Sequence, residues 1–176
     1  LNAFRGTIDQ VPPMFSALKH DGRRLYDIAR AGQVVPRAPR RVHVFRLGVL
    51  AWNAPYLDVE IECGRGFYVR SFANDFGEAI GCGAHLSTLI RERAGPFSLS
   101  KALSLDQLET VFASAEWPLQ LYPVDTAFLH LRAAIIDKEM EKRIRQGQSV
   151  ALRTARFAPV QQEGCRAYNV DGRFVA

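Results

Sequence analysis

The sequence predicts an α+β fold, in which a mixed, largely antiparallel sheet with flanking helices is followed by a small β-rich domain. Three observations favour this fold class. Two strand-like runs flank a short turn, amphipathic helical runs end at glycines, and the residue pattern changes after Pro123. A chain of 176 residues can form one good core with a small appended domain. We therefore expect two domains, residues 1–121 and residues 122–176.

Prolines and a glycine define the first elements. Gly6–Ala17 is predicted as an extended loop, because Pro12 and Pro13 forbid helix and restrict the residue before each of them. Arg23–Ala31 is predicted as a short helix that ends at Gly32. A second stiff connector, VPRAPRR, follows.

The sheet is predicted from two runs, Val42–Leu50 and Tyr56–Cys63. The turn WNAP lies between them, so we expect the two strands to be antiparallel. After two glycines the chain is predicted to continue as a strand over Gly66–Arg70. Ser71–Ile80 then has the pattern of an amphipathic helix that is stopped by the next residue, a glycine.

The later elements have clear end signals. Ser104–Gln107 is a capping box that predicts a helix to about Ala115. Asp137–Gln146 is predicted as a polar helix closed by Gly147. Short strands are expected after it, with a turn at Asn169–Gly172.

Cysteines, histidines and glycines give no sign of a metal or cofactor. The three cysteines are far apart and form no CxxC pair, so they are expected as reduced thiols of a cytoplasmic protein. The histidines lack metal-ligand spacing, and GEAIGCGAH lacks the GxGxxG order of a nucleotide-binding loop. No apolar run approaches the ~18 residues of a membrane span. We expect no metal, no cofactor and no membrane contact.

Positive charge is concentrated in one window of the sequence. The net charge is +5, and the window from Lys19 to Arg46 alone carries eight basic residues against two aspartates. Arginine dominates lysine, and its planar fork matches phosphate and stacks on bases. This patch beside aromatic residues favours RNA as the partner. A merely solvated basic surface is the alternative.

The stretch Cys63–Gly77, CGRGFYVRSFANDFG, is the first candidate for chemistry. On the predicted strand Tyr68 and Arg70 would share one face. An aromatic ring beside a guanidinium can hold a base together with a carboxylate or phosphate. The alternative is a strand arginine that pairs structurally with a neighbouring acid.

Several motifs together resemble those of the TruB-type tRNA pseudouridine synthases. FRGTIDQVPPMFSALKHDGRRLYDIARAG is similar to the family's F-x-G-x-I-x-Q-x-P-P-x-Y/F-S-A-x-K segment with its downstream Y-x-x-A-R-x-G. CGRGFYVRS resembles C-S/G-K/R-G-x-Y-I/V-R-S/T, and LIRERAGPF resembles L-x-R-x-x-x-G-P-F. YPVDTAF and the helix after it resemble the C-terminal PUA-like domain. Three long motifs in the family's order are a specific signal.

The resemblance implies a site and a substrate. Arg70 resembles the arginine that pairs with the catalytic aspartate, Tyr68 the tyrosine that borders the flipped base, and Leu89 the apolar residue that closes the pocket. Modification of uridine in the tRNA T loop, of the uridine-55 type, is implied, with no cofactor and by a monomer. A stiff active-site loop is implied at Pro12, Pro13 and Phe15, with Phe15 packed beneath the prolines; plain core packing is the alternative. Contacts with the phosphates of the T arm are implied for the basic residues Lys19, Arg23, Arg24, Arg30, Arg40 and Arg41.

One departure from the family pattern matters. The family's nucleophilic aspartate lies in a G-x-L-D-P-type motif upstream of these segments, and none of the nine aspartates here is in such a motif. The sequence also lacks an initiating Met, and its last residues read as a strand cut short. We therefore expect the C-terminal part of a longer synthase, inactive by itself. A non-catalytic RNA-binding protein and a protein-interaction module with a basic face remain as alternatives.

Overall fold

The computed structural model describes residues 1–114, 117–151 and 164–176. The chain folds into two compact units, Leu1–Leu89 and Ile90–Ala176. This division of the backbone lies well before Leu121, because the capped helix that begins at Leu105 belongs to the second unit. The assignment of residues 1–121 and 122–176 to separate domains stays a prediction.

The first unit contains a sheet, a small hairpin and two α-helices. A short 3-10 helix at Asn2–Phe4 precedes them. The elements are β1 (Gly6–Gln10), β2 (Lys19–His20), β3 (Arg23–Arg24), α1 (Leu25–Arg30), β4 (Arg40–Asn53), β5 (Tyr56–Cys63) and α2 (Val69–Ile80).

Strand β4 lies in the middle of a three-stranded antiparallel sheet with the order β1-β4-β5. Ile8 is opposite Val42 in the first pair, and Leu47 is opposite Ile61 in the second. The predicted antiparallel pair is confirmed, and β4 extends beyond the predicted Val42–Leu50 at both ends. Two irregularities in the β4–β5 pairing adjust the alternation of faces along this long strand.

The core of this unit lies between the sheet and α2. Val44 and Leu47 of β4 pack with Phe72 of α2, and all three are nearly fully buried. Phe4 meets the Phe72 ring edge-on at 5.4 Å, and Phe76 stacks on it at 5.9 Å. Such aromatic contacts stabilise the fold beyond the burial of their apolar area. They hold α2 against one face of the sheet.

Two predictions for the N-terminal region were wrong. The predicted loop Gly6–Ala17 begins with strand β1, because Gly6–Gln10 pairs with β4 before the prolines are reached. The predicted helix Arg23–Ala31 starts only at Leu25, because Arg23–Arg24 pairs with Lys19–His20 in a two-stranded hairpin.

The segment before α2 also differs from its prediction. Gly66–Arg70 is not a strand, since α2 begins at Val69 and Gly66 turns the chain with φ +86°. The aromatic and β-branched residues FYV favoured a strand locally, but tertiary contacts of Tyr68 override that preference. The end of the helix is confirmed: Gly81 caps it in the left-handed conformation.

The second unit consists of short elements. They are β6 (Arg93–Ala94), β7 (Phe97–Ser98), α3 (Leu105–Ala113), β8 (Ala133–Ile135), α4 (Lys138–Arg145) and β9 (Arg166–Tyr168), with 3-10 helices at Leu99–Lys101, Trp117–Gln120 and Val124–Phe128. Strands β6 and β7 form an antiparallel hairpin, and β8 and β9 pair in parallel. Within the residues that the structure describes, no helix is long and apolar enough to cross a bilayer.

The end signals of this unit behave as predicted. Ser104 and Gln107 form the reciprocal capping box of α3, with the Gln107 N–H donating to Ser104 Oγ at 3.2 Å. The Asp137 carboxylate caps α4, Gly147 follows with φ +73°, and the Gly172 N–H donates to the Asn169 carbonyl at 3.0 Å. The predicted end of α3 at Ala115 lies outside the described residues, as do residues 152–163 of the region expected to hold short strands.

A partly buried polar network ties the second unit together. The Tyr168 hydroxyl donates to the Asp125 carboxylate and accepts from Arg166 Nη1 at 2.7 Å. Arg166 also lies 3.7 Å from Asp125, and its Nε donates to the Leu131 carbonyl at 3.1 Å. The hydrogen bond to Asp125, together with burial, raises the pKa of Tyr168 above its ordinary value of 10.0. The network thus links the 3-10 helix at Val124–Phe128 to β9.

This network gives the second unit a specific sensitivity to alkali. The folded state holds the Tyr168 proton to higher pH than the unfolded chain does. The network's contribution to the free energy of unfolding is therefore complete below pH 10 and is lost as the pH rises further. Tyr168→Phe should lower the melting temperature at pH 8 by a few degrees and flatten its fall between about pH 9.5 and 11. Thermal melts of the two proteins across this range check the prediction.

Tyr122→Phe is the matched control, because it removes another phenol of the same unit but keeps the ring contact with Phe97. It should leave the alkaline slope unchanged. Equal slopes for the parent and Tyr168→Phe would show that the network does not stabilise the fold.

Candidate nucleic-acid interface

A buried amide joins the end of β1 to the start of α2. Gln10 is 2% exposed. Its Nε2 donates to the Tyr68 carbonyl at 3.1 Å, and its Oε1 accepts from the Tyr68 N–H at 2.8 Å. Next to this pair, the Ser71 hydroxyl donates to the Val11 carbonyl at 2.8 Å. We call these four residues the junction, because their hydrogen bonds fix the chain after β1 against the first turn of α2.

The proline loop, residues 11–18, leaves the sheet at the junction. Pro12 is buried and Pro13 is half-buried. Arg37 Nη1 donates to the Pro12 carbonyl at 2.9 Å and holds the loop from its other side. Phe15, expected to pack beneath the prolines, is instead 55% exposed, because Pro12 takes the buried position at the base of the loop. The loop therefore presents an aromatic ring to solvent.

The hairpin β2–β3 carries the first part of the basic window. Lys19 is opposite Arg24 in the pairing, and both are exposed, as is Arg23. Asp21 and Gly22 form the turn with φ +48° and +80°, the positive values that a tight two-residue hairpin requires. The pairing places Lys19 and Arg24 directly opposite each other, so their two charges lie side by side at the surface.

Helix α1 adds an aromatic ring to this charge. Tyr26 lies between two guanidinium groups, with Arg24 at 5.7 Å and Arg30 at 5.4 Å from the ring centre. Cation–π contacts at exposed sites contribute on the order of 0.5–1 kcal/mol each. They restrict both arginine side chains while leaving their charges exposed. A phosphate approaching this ring would meet two oriented cations.

The basic residues at the start of β4 and just before it differ in whether they already have a partner. Arg40 is opposite Gln10 in the sheet and is exposed. Arg41 Nε lies 4.0 Å from Asp9 in a solvated pair, and such pairs are worth little. Arg37, by contrast, is half-buried and engaged with the Pro12 carbonyl. Arg40 and Arg41 can therefore meet an external anion, whereas Arg37 has a structural contact.

Tyr68 and Arg70 do not share a strand face as predicted. Tyr68 is the extended N-cap residue of α2, and Arg70 is in the first helical turn. Arg70 is exposed, and within the described parts of the chain no carboxylate lies within 4.0 Å of its guanidinium. The N-terminal end of a helix is itself electropositive, so both the Arg70 guanidinium and the helix dipole attract an anion here. The structural ion pair that could have engaged Arg70 is absent there.

Leu89 follows α2 after an irregular segment and is 58% exposed. A close backbone contact shapes this segment, because a Cβ added at Gly77 would lie 2.0 Å from the Ala84 nitrogen. The N–H groups of Cys82 and Gly83 both donate to the Gly77 carbonyl, at 3.2 and 3.0 Å. The chain is thereby folded tightly past the end of α2 before it reaches Leu89. The role of Leu89 near Tyr68 and Arg70 stays a prediction.

The roles of two residues and the hairpin β2–β3 were not found by sequence reasoning. Gln10 and Ser71 stand within the quoted motifs, but their contacts could not be predicted, since their partners are far away in the sequence. The hairpin did have a signal, the Asp21-Gly22 dipeptide that is typical of tight β-turns. Among the described residues no group of three His, Cys, Asp or Glu side chains could hold a metal ion.

Solved structures show the fold class of this chain. The crystal structure of a Cbf5-Nop10-Gar1 complex superposes with a TM-score of 0.72 at 22% identity, covering 98% of this chain and 51% of that chain. A structure of an H/ACA RNP bound to a substrate RNA containing 2′-deoxyuridine has a TM-score of 0.65 at 18% identity, covering 97% and 56%. At these identities the likeness establishes the α+β fold alone.

Family models establish the class of protein. Residues 1–69 match the model described as TruB family pseudouridylate synthase, N-terminal domain. Residues 70–136 match the tRNA pseudouridylate synthase B C-terminal domain. Together the two matches cover most of the chain, which therefore belongs to the TruB family of pseudouridylate synthases. The proposed site lies across the two matches, with Tyr68 in the first and Arg70 in the second.

Individual relatives agree with this family. The tRNA pseudouridine synthase B of Thiobacillus denitrificans is 43% identical over 175 residues, which is 99% of this chain and 57% of that protein. The enzyme of the same name from Chromohalobacter salexigens is 42% identical over 158 residues, 90% of this chain and 51% of that protein. The chain thus spans about half the length of the curated relatives that it matches.

Proposed function

We propose that this chain supplies the RNA-binding surface and part of the active site of a tRNA pseudouridine synthase that acts on uridine in the T loop, at the uridine-55 position. The observation that carries the proposal is the unpaired, exposed Arg70 at the start of α2, held beside the proline loop by the junction. The names of the TruB relatives support the substrate class.

The proposed chemistry needs no cofactor. The synthase breaks the N-glycosidic bond of uridine, rotates the uracil and rejoins it to the ribose through carbon, using an aspartate nucleophile. The 176-residue sequence contains no G-x-L-D-P motif, so we assign this aspartate to sequence outside it. Arg70 would pair with the carboxylate and keep it ionised, Tyr68 would border the flipped base, and Leu89 would close the pocket.

The proposed RNA surface is the hairpin β2–β3 with α1 and the start of β4. Its cations are exposed, and they lie on short, hydrogen-bonded elements. Phosphate contacts of this kind orient a structured RNA without reading its sequence. Extracting a uridine from the T loop costs a few kcal/mol of unstacking, which contacts along the T arm can offset. We propose that the protein works as a monomer in the cytoplasm.

The direct test compares this chain with a longer chain in which a G-x-L-D-P-bearing segment precedes it. The longer chain should form pseudouridine in a tRNA transcript, and the 176-residue chain should bind the transcript without converting it. Conversion by the 176-residue chain alone would overturn the assignment of the nucleophile. Binding without conversion by both would favour a non-catalytic RNA-binding protein, and no salt-dependent binding would favour a protein-interaction module.

The basic surface can be tested by its response to salt. Replacing Arg23, Arg24 and Arg30 with alanine should weaken tRNA binding and lower the log–log salt slope by roughly one unit for each phosphate that the protein no longer neutralises. Filter binding at several salt concentrations measures both quantities.

Arg46→Ala is the control, because Arg46 is exposed but is paired with Glu60 on the neighbouring strand. It should change the slope far less than any one of the three arginines. A triple variant with the parent's slope would place those arginines outside the RNA interface.

Arg70→Lys in the longer chain tests the proposed pairing with the nucleophile. Lysine keeps the charge but cannot make the planar two-pronged contact, so tRNA affinity should stay within about threefold while single-turnover conversion falls at least a hundredfold. Such a fall corresponds to a loss of ~3 kcal/mol of transition-state stabilisation. Normal conversion with a depressed melting temperature would make Arg70 a structural residue.

A further inference from the structure

We infer that Gln10 is a positioning residue, which aligns the proline loop with the Tyr68–Arg70 segment so that RNA meets both as one preformed surface. The inference rests on the proposed function and adds to it a residue outside the family site described above. Gln10 would not touch the reacting atoms. It would act through the backbone of Tyr68 and through the loop that follows it.

Gln10 is held in a single arrangement by contacts on two sides. Its backbone pairs with Arg40 across β1 and β4. Its side chain uses both the amide donor and the carbonyl acceptor on Tyr68, at 3.1 and 2.8 Å. At 2% exposure there is no solvent to take over either hydrogen bond. One residue thus connects a strand that carries proposed phosphate-binding arginines with the residue proposed to border the base.

The backbone of Tyr68 needs such a partner. As the N-cap of α2 it has extended dihedral angles, φ −111° and ψ 108°, and no side chain caps the helix there. Its N–H therefore points outside the helical hydrogen-bond pattern, while its carbonyl already accepts from the Phe72 N–H at 3.0 Å. Only a side chain with adjacent donor and acceptor groups can bind both the N–H and the carbonyl.

The proline loop also depends on side chains for its position. Pro12 and Pro13 have no N–H, so the loop cannot extend the β1–β4 pairing. Side chains fix the start of the loop instead: the Val11 carbonyl accepts from the Ser71 hydroxyl at 2.8 Å, and the Pro12 carbonyl accepts from Arg37 at 2.9 Å. Backbone N–H groups of α1 hold its later part, where the Ser16 and Leu18 carbonyls accept at 3.1 and 2.7 Å. Ser71 lies in the first turn of α2, next to Arg70. The Gln10 side chain, just before the loop, binds the backbone at the start of α2, and the Ser71 side chain, in α2, binds the backbone of the loop. Together these contacts prevent the loop and α2 from sliding past each other.

This arrangement matters for binding, because ordering a loop or a side chain on association costs affinity. With the junction intact, the relative position of the loop and of Tyr68 is set before RNA arrives. Without it, each RNA complex must select that position from a wider distribution. The loss should appear in tRNA affinity beyond anything that follows from reduced global stability.

The experiment measures tRNA binding by the 176-residue chain at a temperature where all variants are folded. Gln10→Met keeps the length of the side chain and removes both hydrogen bonds; it should weaken binding at least tenfold. Gln33→Met makes the same chemical change at an exposed position and should bind like the parent. Val44→Ala lowers stability through the core and should stay within threefold of the parent while folded.

Gln10→Glu adds a second measurement, the pH dependence of tRNA binding, which a loss of stability alone would not change in the same way. When protonated, this side chain can both donate to the Tyr68 carbonyl and accept from its N–H; when ionised, it opposes the carbonyl oxygen. Burial raises the pKa of such a carboxyl, so binding relative to the parent should recover as pH falls from 8 to 5. The charged side chains next to the junction along the chain or across the sheet are exposed: Asp9 on β1, Arg40 and Arg41 on β4, and Arg70 on α2. The parent, measured at each pH, corrects for them.

The outcomes distinguish failure of the proposed function from failure of the role inferred for Gln10. A parent chain that does not bind tRNA overturns the proposed function and, with it, this inference. A parent that binds while Gln10→Met binds equally well overturns the inference alone. An affinity loss for Gln10→Met no larger than that for Val44→Ala at matched loss of melting temperature also overturns it. Tenfold weaker binding with recovery of Gln10→Glu at low pH supports it.

Discussion

The arrangement of Leu1–Leu89 depends on the hydrogen bonding of one buried amide. Gln10 and Tyr68 are 58 positions apart in sequence, yet their paired hydrogen bonds close the gap between the sheet and α2. A buried polar group without a partner would cost about 1–3 kcal/mol, so the fold is constrained to place these two residues together. The packing of Phe72 against Val44 and Leu47 brings α2 to the sheet, and the amide fixes where along the sheet it starts.

The fold of this unit also distinguishes arginines held by the scaffold from arginines that a partner could reach. Arg37 is engaged with the Pro12 carbonyl, and Arg5 Nη2 donates to the Leu47 carbonyl at 2.7 Å. Both side chains satisfy backbone groups of the scaffold. Arg24 and Arg30 instead flank an aromatic ring and keep their charge at the surface. A count of charges along the sequence cannot distinguish these groups, because the difference lies in backbone carbonyls that only the fold brings near.

Sequence reasoning succeeded where the signal is local. The capping box at Ser104 and the glycine after α2 act within one helical turn, and the structure confirms both. It failed at Gly66–Arg70, where local preference favours a strand and a distant glutamine decides otherwise. Within the candidate site, Tyr68 and Arg70 could be named from their motif. Their positions could not, since a cap residue and a residue in a first helical turn are set by tertiary contacts.

The observed positions of Tyr68 and Arg70 suit their two proposed roles, bordering a base and pairing with a carboxylate, better than the predicted strand face does. Residues two apart in a helix point in different directions, and the extended backbone of Tyr68 adds to the difference in direction. In the proposed roles, the ring borders a base and the guanidinium pairs with a carboxylate, so the two side chains must reach different groups. The boundary of α2 lies between the two residues. The junction holds that boundary in place, so the position of a helix start, rather than the pleat of a strand, separates the two side chains proposed to act in the site.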